Sequence, residues 1–125
     1  MLEMMREAGF MAYGILCLAI LTHPLAIASA IVAIASKRRG LIVGLASASA
    51  LLVMVTLCLG PVGYWLGMQQ VDAAVAFSAT EDAERLREVG RAEAMNNFWC
   101  ALMGGGLPGL LSGVALVIGM LRKPA

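Results

Sequence analysis

Charge is scarce in this chain. Of its 125 residues, 14% are Asp, Glu, Lys or Arg and 61% are hydrophobic, whereas a water-soluble domain has about 25% charged and about 45–50% apolar residues. So small a chain has much surface for its volume and could not hide that many apolar side chains from water. The scarcity is also local: no Asp, Glu, Lys or Arg occurs from Phe10 to Ser36, from Leu41 to Gln70 or from Ala94 to Leu121. Other absences narrow the function. The three cysteines, Cys17, Cys58 and Cys100, all lie in these apolar runs and form no C-x-x-C pair, so neither a disulfide framework nor a zinc site is indicated. Nucleophile elbow, P-loop, H-E-x-x-H and dinucleotide fingerprint are all missing, and no basic stripe offers itself to nucleic acid. The expectation is a protein that is not an enzyme, with no catalytic residue, metal or cofactor.

Each apolar run exceeds the ~20 residues that cross ~30 Å of hydrocarbon as a helix. Lipid offers no partner to a bare backbone, so only helices or closed barrels span it. The runs lack the alternation of a barrel strand. The sequence therefore predicts an all-α membrane protein with three transmembrane helices, spanning about 10–36, 41–68 and 95–121. A short N-terminal segment with Glu3, Arg6 and Glu7 does not read as a cleaved signal peptide, which starts with net positive charge and has a shorter apolar region. The outer connection, 69–94, carries "ATEDAERLREVGRAE", and a short extramembrane helix is expected from about Thr80, running on into the third span. Ser78 with Glu81 has capping-box spacing, and Thr80 is the alternative cap.

The charges are sorted by side. The first connection holds Lys37, Arg38 and Arg39, and the C-terminal tail holds Arg122 and Lys123, with no acid in either. With three spans these lie on one side. All eight acids fall on the other, with Arg6, Arg85, Arg87 and Arg91. Short basic segments stay cytoplasmic, which predicts an inner-membrane protein with its N-terminus outside and its C-terminus in the cytoplasm. Tyr64 and Trp65, at the outer end of the second run, suit the headgroup level.

Glycine is plentiful where packing needs it. Gly63 and Gly67 are four apart, Gly105, Gly109 and Gly113 repeat the spacing, and Gly44 is four before Ala48. Helices in lipid associate through such small faces, and their abundance points to self-association; the alternative is packing within one subunit. His23 is the one titratable base deep in a run, next to Pro24. An ionisable group at that depth is a candidate ion-pathway residue; the alternative is a neutral His bonded to a neighbouring helix. Asn96 and Asn97 are expected at the interface, and Thr22 and Thr56 are expected to bond the carbonyl four residues back.

Two stretches carry a family likeness. "GYWLGMQQVDAAVA", residues 63–76, has Gly63, Gly67 and Met68 in the places of a G-T-V-x-G-M helix end. "GRAEAMNNFWCALMGGGLPGLL", residues 90–111, has Gly90, Glu93, Ala94 and Met95 in the places of a G-I-x-E-A-L start, with Pro108 further on. With its "MLEMMREAGFMAYGILCLAIL" opening, the chain resembles the MotA/TolQ/ExbB proton-channel family. Tyr64 and Phe98 stand where the family has path-lining threonines, and "SKRRG" stands in place of its large cytoplasmic domain. The resemblance implies a reduced proton-channel or stator subunit, pentameric around a single-span partner, with Glu93 as the acidic site and Tyr64 beside the path. The other readings are a non-conducting scaffold subunit of a larger membrane complex and a small pore former.

Overall fold

The computed structural model describes residues 9–78 and 80–122, and for residues 80 and 81 the backbone alone. Three helices make up the fold: α1 (Phe10–Ala35), α2 (Arg39–Ala76) and α3 (Thr80–Leu121). All three are long and apolar enough to cross a membrane, with mean hydropathy of 2.3, 2.4 and 1.8 in their most apolar windows. This is the all-α, three-span architecture the sequence predicts, with its helical extension ahead of the third span.

The helices pack inside-out relative to a soluble bundle. Their buried positions fall at alternating steps of three and four: Ala12, Ile15, Ala19, Thr22, Ala26, Ser29 and Ala33 on α1, then Ile42, Ala46, Ser49, Val53, Thr56, Gly60 and Gly63 on α2. That spacing is the 3.5-residue period of a left-handed coil. Apart from Ile15, Ile42 and Val53 the buried set is small or hydroxylated, while Ile20, Leu21, Ile34, Leu51, Leu110 and Val114 are exposed. Water would reverse this order. Lipid permits it, because large apolar side chains lose nothing there and close backbone approach supplies the attraction.

The α2–α3 hairpin is the spine. Its antiparallel seam runs unbroken from Val71 against Gly90, through Gly67 against Ala94, Gly63 against Asn97 and Gly60 against Ala101, to Leu57 against Gly105, Val53 against Gly109 and Ile42 against Gly119. The register never slips by more than one residue. Glycine supplies the gap on α2 between Gly60 and Gly67, and on α3 from Gly105 inward. A Cβ on Gly60 would lie 2.7 Å from that of Ala101, and one on Gly67 would lie 2.9 Å from that of Ala94, so these positions cannot carry a side chain without parting the helices. α1 lies along this spine parallel to α3, with Ala19 against Gly104.

Two ends differ from expectation. The second helix does not stop near 68 but continues through Ala76, because "QQVDAAVA" is polar yet contains no helix breaker, and Val71 fills the notch at Gly90. Polar residues do not end the helix there. Phe77 and Ser78 then close the turn, and the Ser78 hydroxyl donates to the Val75 carbonyl at 2.9 Å, so it serves the end of α2 rather than capping α3. Glu81 as its capping-box partner lies outside the described side chains. At the start of α1, Gly9 adopts φ 73, a left-handed conformation that suits glycine.

Candidate functional site

Glu93 sits on α3 one turn before the buried Asn97 and is exposed. It edges a groove of about 330 Å³ between α2 and α3, which also takes in Gly67, Gln70, Ala74, Leu86 and Val89. Gly9 marks the edge of the groove, and among the described residues the α2–α3 hairpin extends beyond it. Tyr64 is half-buried, next to Gly63 and hence level with Asn97. Tyr64 and Glu93 thus stand about one turn apart in depth.

His23 is elsewhere. Its Nδ1–H donates to the Ala19 carbonyl of its own helix at 2.8 Å, the carbonyl that also accepts the Thr22 hydroxyl at 3.1 Å. A carbonyl only accepts, so Nδ1 carries the proton of this bond. This bond is local to α1, where the alternative reading expected a neighbouring helix. The ring borders an apolar groove of about 370 Å³ between α1 and α3, with Ala12, Leu16, Cys100 and Met103. From the contact of Ala19 with Gly104 and 1.5 Å of rise per residue, His23 is roughly 20 Å from Glu93 along the bundle. The structure does not bring these two candidates together.

The six glycines expected to pack helices divide. Gly63, Gly67, Gly105 and Gly109 are consumed by the α2–α3 seam, while Gly44 and Gly113 meet nothing within 4 Å. Gly113 departs from the stripe it seemed to share because eight residues of a straight helix turn about 80° past two full turns repeated. Much of the small surface that suggested self-association is used within one chain.

Two polar features take on inter-helix roles that the sequence did not show. Asn97, expected at the interface with Asn96, is 3% exposed and lies against Gly63 in the seam. Ser49 and Ser112 meet across α2 and α3 at 2.6 Å. Since the Ser112 hydroxyl donates to the Pro108 carbonyl at 2.7 Å, Ser49 is the donor between them. With Ser29 donating to Ala26 (2.8 Å) and Thr56 to Leu52 (2.8 Å), these buried hydroxyls are satisfied inside the bundle. Only residue-by-residue register could have shown the Ser49–Ser112 meeting.

The ends carry opposite marks. Phe10, Tyr13, Tyr64, Trp65, Phe98 and Trp99 share one level, with Phe98 and Trp99 edge to face at 6.0 Å. They form an aromatic belt of the kind found at headgroup depth. Lys37, Arg38, Arg39 and Arg122 mark the other end, where the Arg122 guanidinium donates to the Ala33 carbonyl at 2.7 Å and so ties the end of α3 to the end of α1. Among the described residues no three His, Cys, Asp or Glu side chains gather in a way that could hold a metal. Comparison with protein-family models, curated proteins and solved structures finds nothing that matches this chain.

Proposed function

We propose that this protein is a structural subunit of a membrane assembly. Its three-helix anchor holds a helical arm beyond the aromatic belt, and it works by presenting surface to partners rather than by chemistry of its own. The observation that carries this reading is the α2–α3 hairpin: one tight seam continues from the bundle into the arm, so the arm is held rigidly with respect to the membrane. From Trp65 to Ala76 it rises about 16 Å and ends on Phe77, which is 93% exposed. The basic end faces the cytoplasm and the arm faces outward, in the inner membrane, by the same bias of short Lys/Arg segments.

The test is isolation of the protein in mild detergent from its native membrane, followed by sizing. The subunit reading expects it within a complex larger than the single chain, and expects Phe77→Asp to release partners while leaving helicity unchanged. A monomer with no associated chain, from native membranes and with the arm intact, would contradict it.

A second reading is proton passage between copies of the chain, as the likeness to MotA/TolQ/ExbB proteins implies, around a single-span partner. It is favoured by the position of Glu93, an exposed carboxylate at the foot of the arm beside the Gln70 and Asn97 groove. Reconstituted in vesicles with a pH-sensitive dye, the protein should then pass protons as an oligomer, and Glu93→Gln should abolish the flux. Equal flux from the variant removes Glu93 from any such path.

A further inference from the structure

Among the described residues the basic end of the bundle has no counter-charge. From Gly9 to Val71 the chain contains no Asp or Glu, and the first acid on α2 is Asp72, close to the arm's tip and about 50 Å along the helix from Arg39. The acids of α3 lie on the arm as well. Lys37, Arg38 and Arg39 therefore project from the α1–α2 connection, all exposed, with no carboxylate of the described chain in reach. The connection is short and braced: Ser36 N–H bonds Val32 O at 2.9 Å, and Arg38 N–H bonds the Ser36 hydroxyl at 3.1 Å. Three cations thus leave from neighbouring positions of a fixed turn. Arg122 stands at the same end, held by its bond to Ala33.

The depth of these cations is set by their neighbours. Ile34 is 78% exposed, Leu41 52% and Leu121 81%. Such side chains flank the turn directly and belong among acyl chains, which places the cations at the level of lipid phosphates. Basic clusters at that level attract anionic lipid.

We propose that this end of the bundle binds anionic phospholipid headgroups, with Lys37, Arg38 and Arg39 as the principal contacts and Arg122 beside them. The site selects lipids by headgroup charge and is independent of whether the protein serves as a scaffold or an ion path; it rests only on the membrane placement. The bound lipid neutralises cations that no described carboxylate reaches.

The experiment is native mass spectrometry of the full chain in neutral detergent, titrated separately with phosphatidylglycerol, phosphatidylcholine and inorganic phosphate. Phosphatidylglycerol should be retained and phosphatidylcholine should not. The Lys37→Gln/Arg38→Gln/Arg39→Gln variant should bind it about a hundredfold more weakly, on the basis of about fivefold per cation. Arg38→Lys/Arg39→Lys should bind it as the parent does, and Arg85→Gln/Arg87→Gln, on the arm, should change nothing. Circular dichroism checks that each variant keeps its helices. Equal retention of both lipids, undiminished binding by the triple Gln variant, or displacement of the lipid by millimolar phosphate would each overturn the proposal. A chain that stays dispersed without detergent would instead overturn the membrane placement.

Discussion

At the scale of single residues, the seam sorts glycines by what faces them. A side chain at Gly60 would meet the Ala101 Cβ at 2.7 Å and the Phe98 backbone at 3.3 Å, and backbone does not yield as a flexible side chain does. Gly60→Leu should therefore cost about 1–3 kcal/mol or more of bundle stability, read as a lower midpoint on unfolding the detergent-solubilised protein with dodecyl sulfate. Gly113→Leu, at an open position, should leave that midpoint unchanged. Ser49 makes a smaller contribution. Its hydroxyl donates to Ser112 at 2.6 Å, but helix-to-helix bonds in lipid average about 0.6 kcal/mol because the unfolded helices also find partners. Ser49→Ala should shift the same midpoint by an amount of that order. The glycine spacings were visible in the sequence, but which glycines face inward was not. That depends on the angular drift of a real helix and on which neighbour lies opposite.

At the scale of elements, the arm is the instructive case. Its α3 leg was legible, since Thr80 onward offers good helix formers and a single glycine before the apolar run. Its α2 leg was not, because residues 69–76 read as polar connection. Tertiary packing decides it: Val71 fills the space above Gly90, and the turn is confined to the residues after Ala76. Amides 69–76 should accordingly resist hydrogen exchange in detergent, while those at Phe77 and Ser78 exchange quickly. Fast exchange throughout 69–78 would show a loose connection instead of an arm. Val71→Gly should speed exchange in the upper arm and leave the α1–α3 contact at Ala19 and Gly104 intact, because the seam is local at each step.

At the scale of the whole molecule, the bundle has an aromatic belt at one end and a basic collar at the other. If the collar is cytoplasmic, a reporter at residue 125 that is active only inside the cell will be active, and one inserted at residue 77 will be active only if it works outside. Reversal of both would invert the orientation and leave the fold unchanged. The candidate residues did not converge. His23 is bonded within α1 and Glu93 stands roughly 20 Å away along the axis, so no relay joins them through one chain among the described residues.

The length of the uncharged runs alone determined three helices long and apolar enough to cross a membrane, because in lipid such runs must satisfy their backbones as helices. Charge sorting alone determined that the basic and acidic segments occupy opposite ends. The rest was decided in three dimensions. Only the register of α2 against α3 assigns each glycine its neighbour, sinks Asn97 into the seam, joins Ser49 to Ser112 and extends the hairpin past the end of α1. Side-chain type fixes the solvent a helix prefers, whereas the fit of one helix against another depends on distances that no single helix contains.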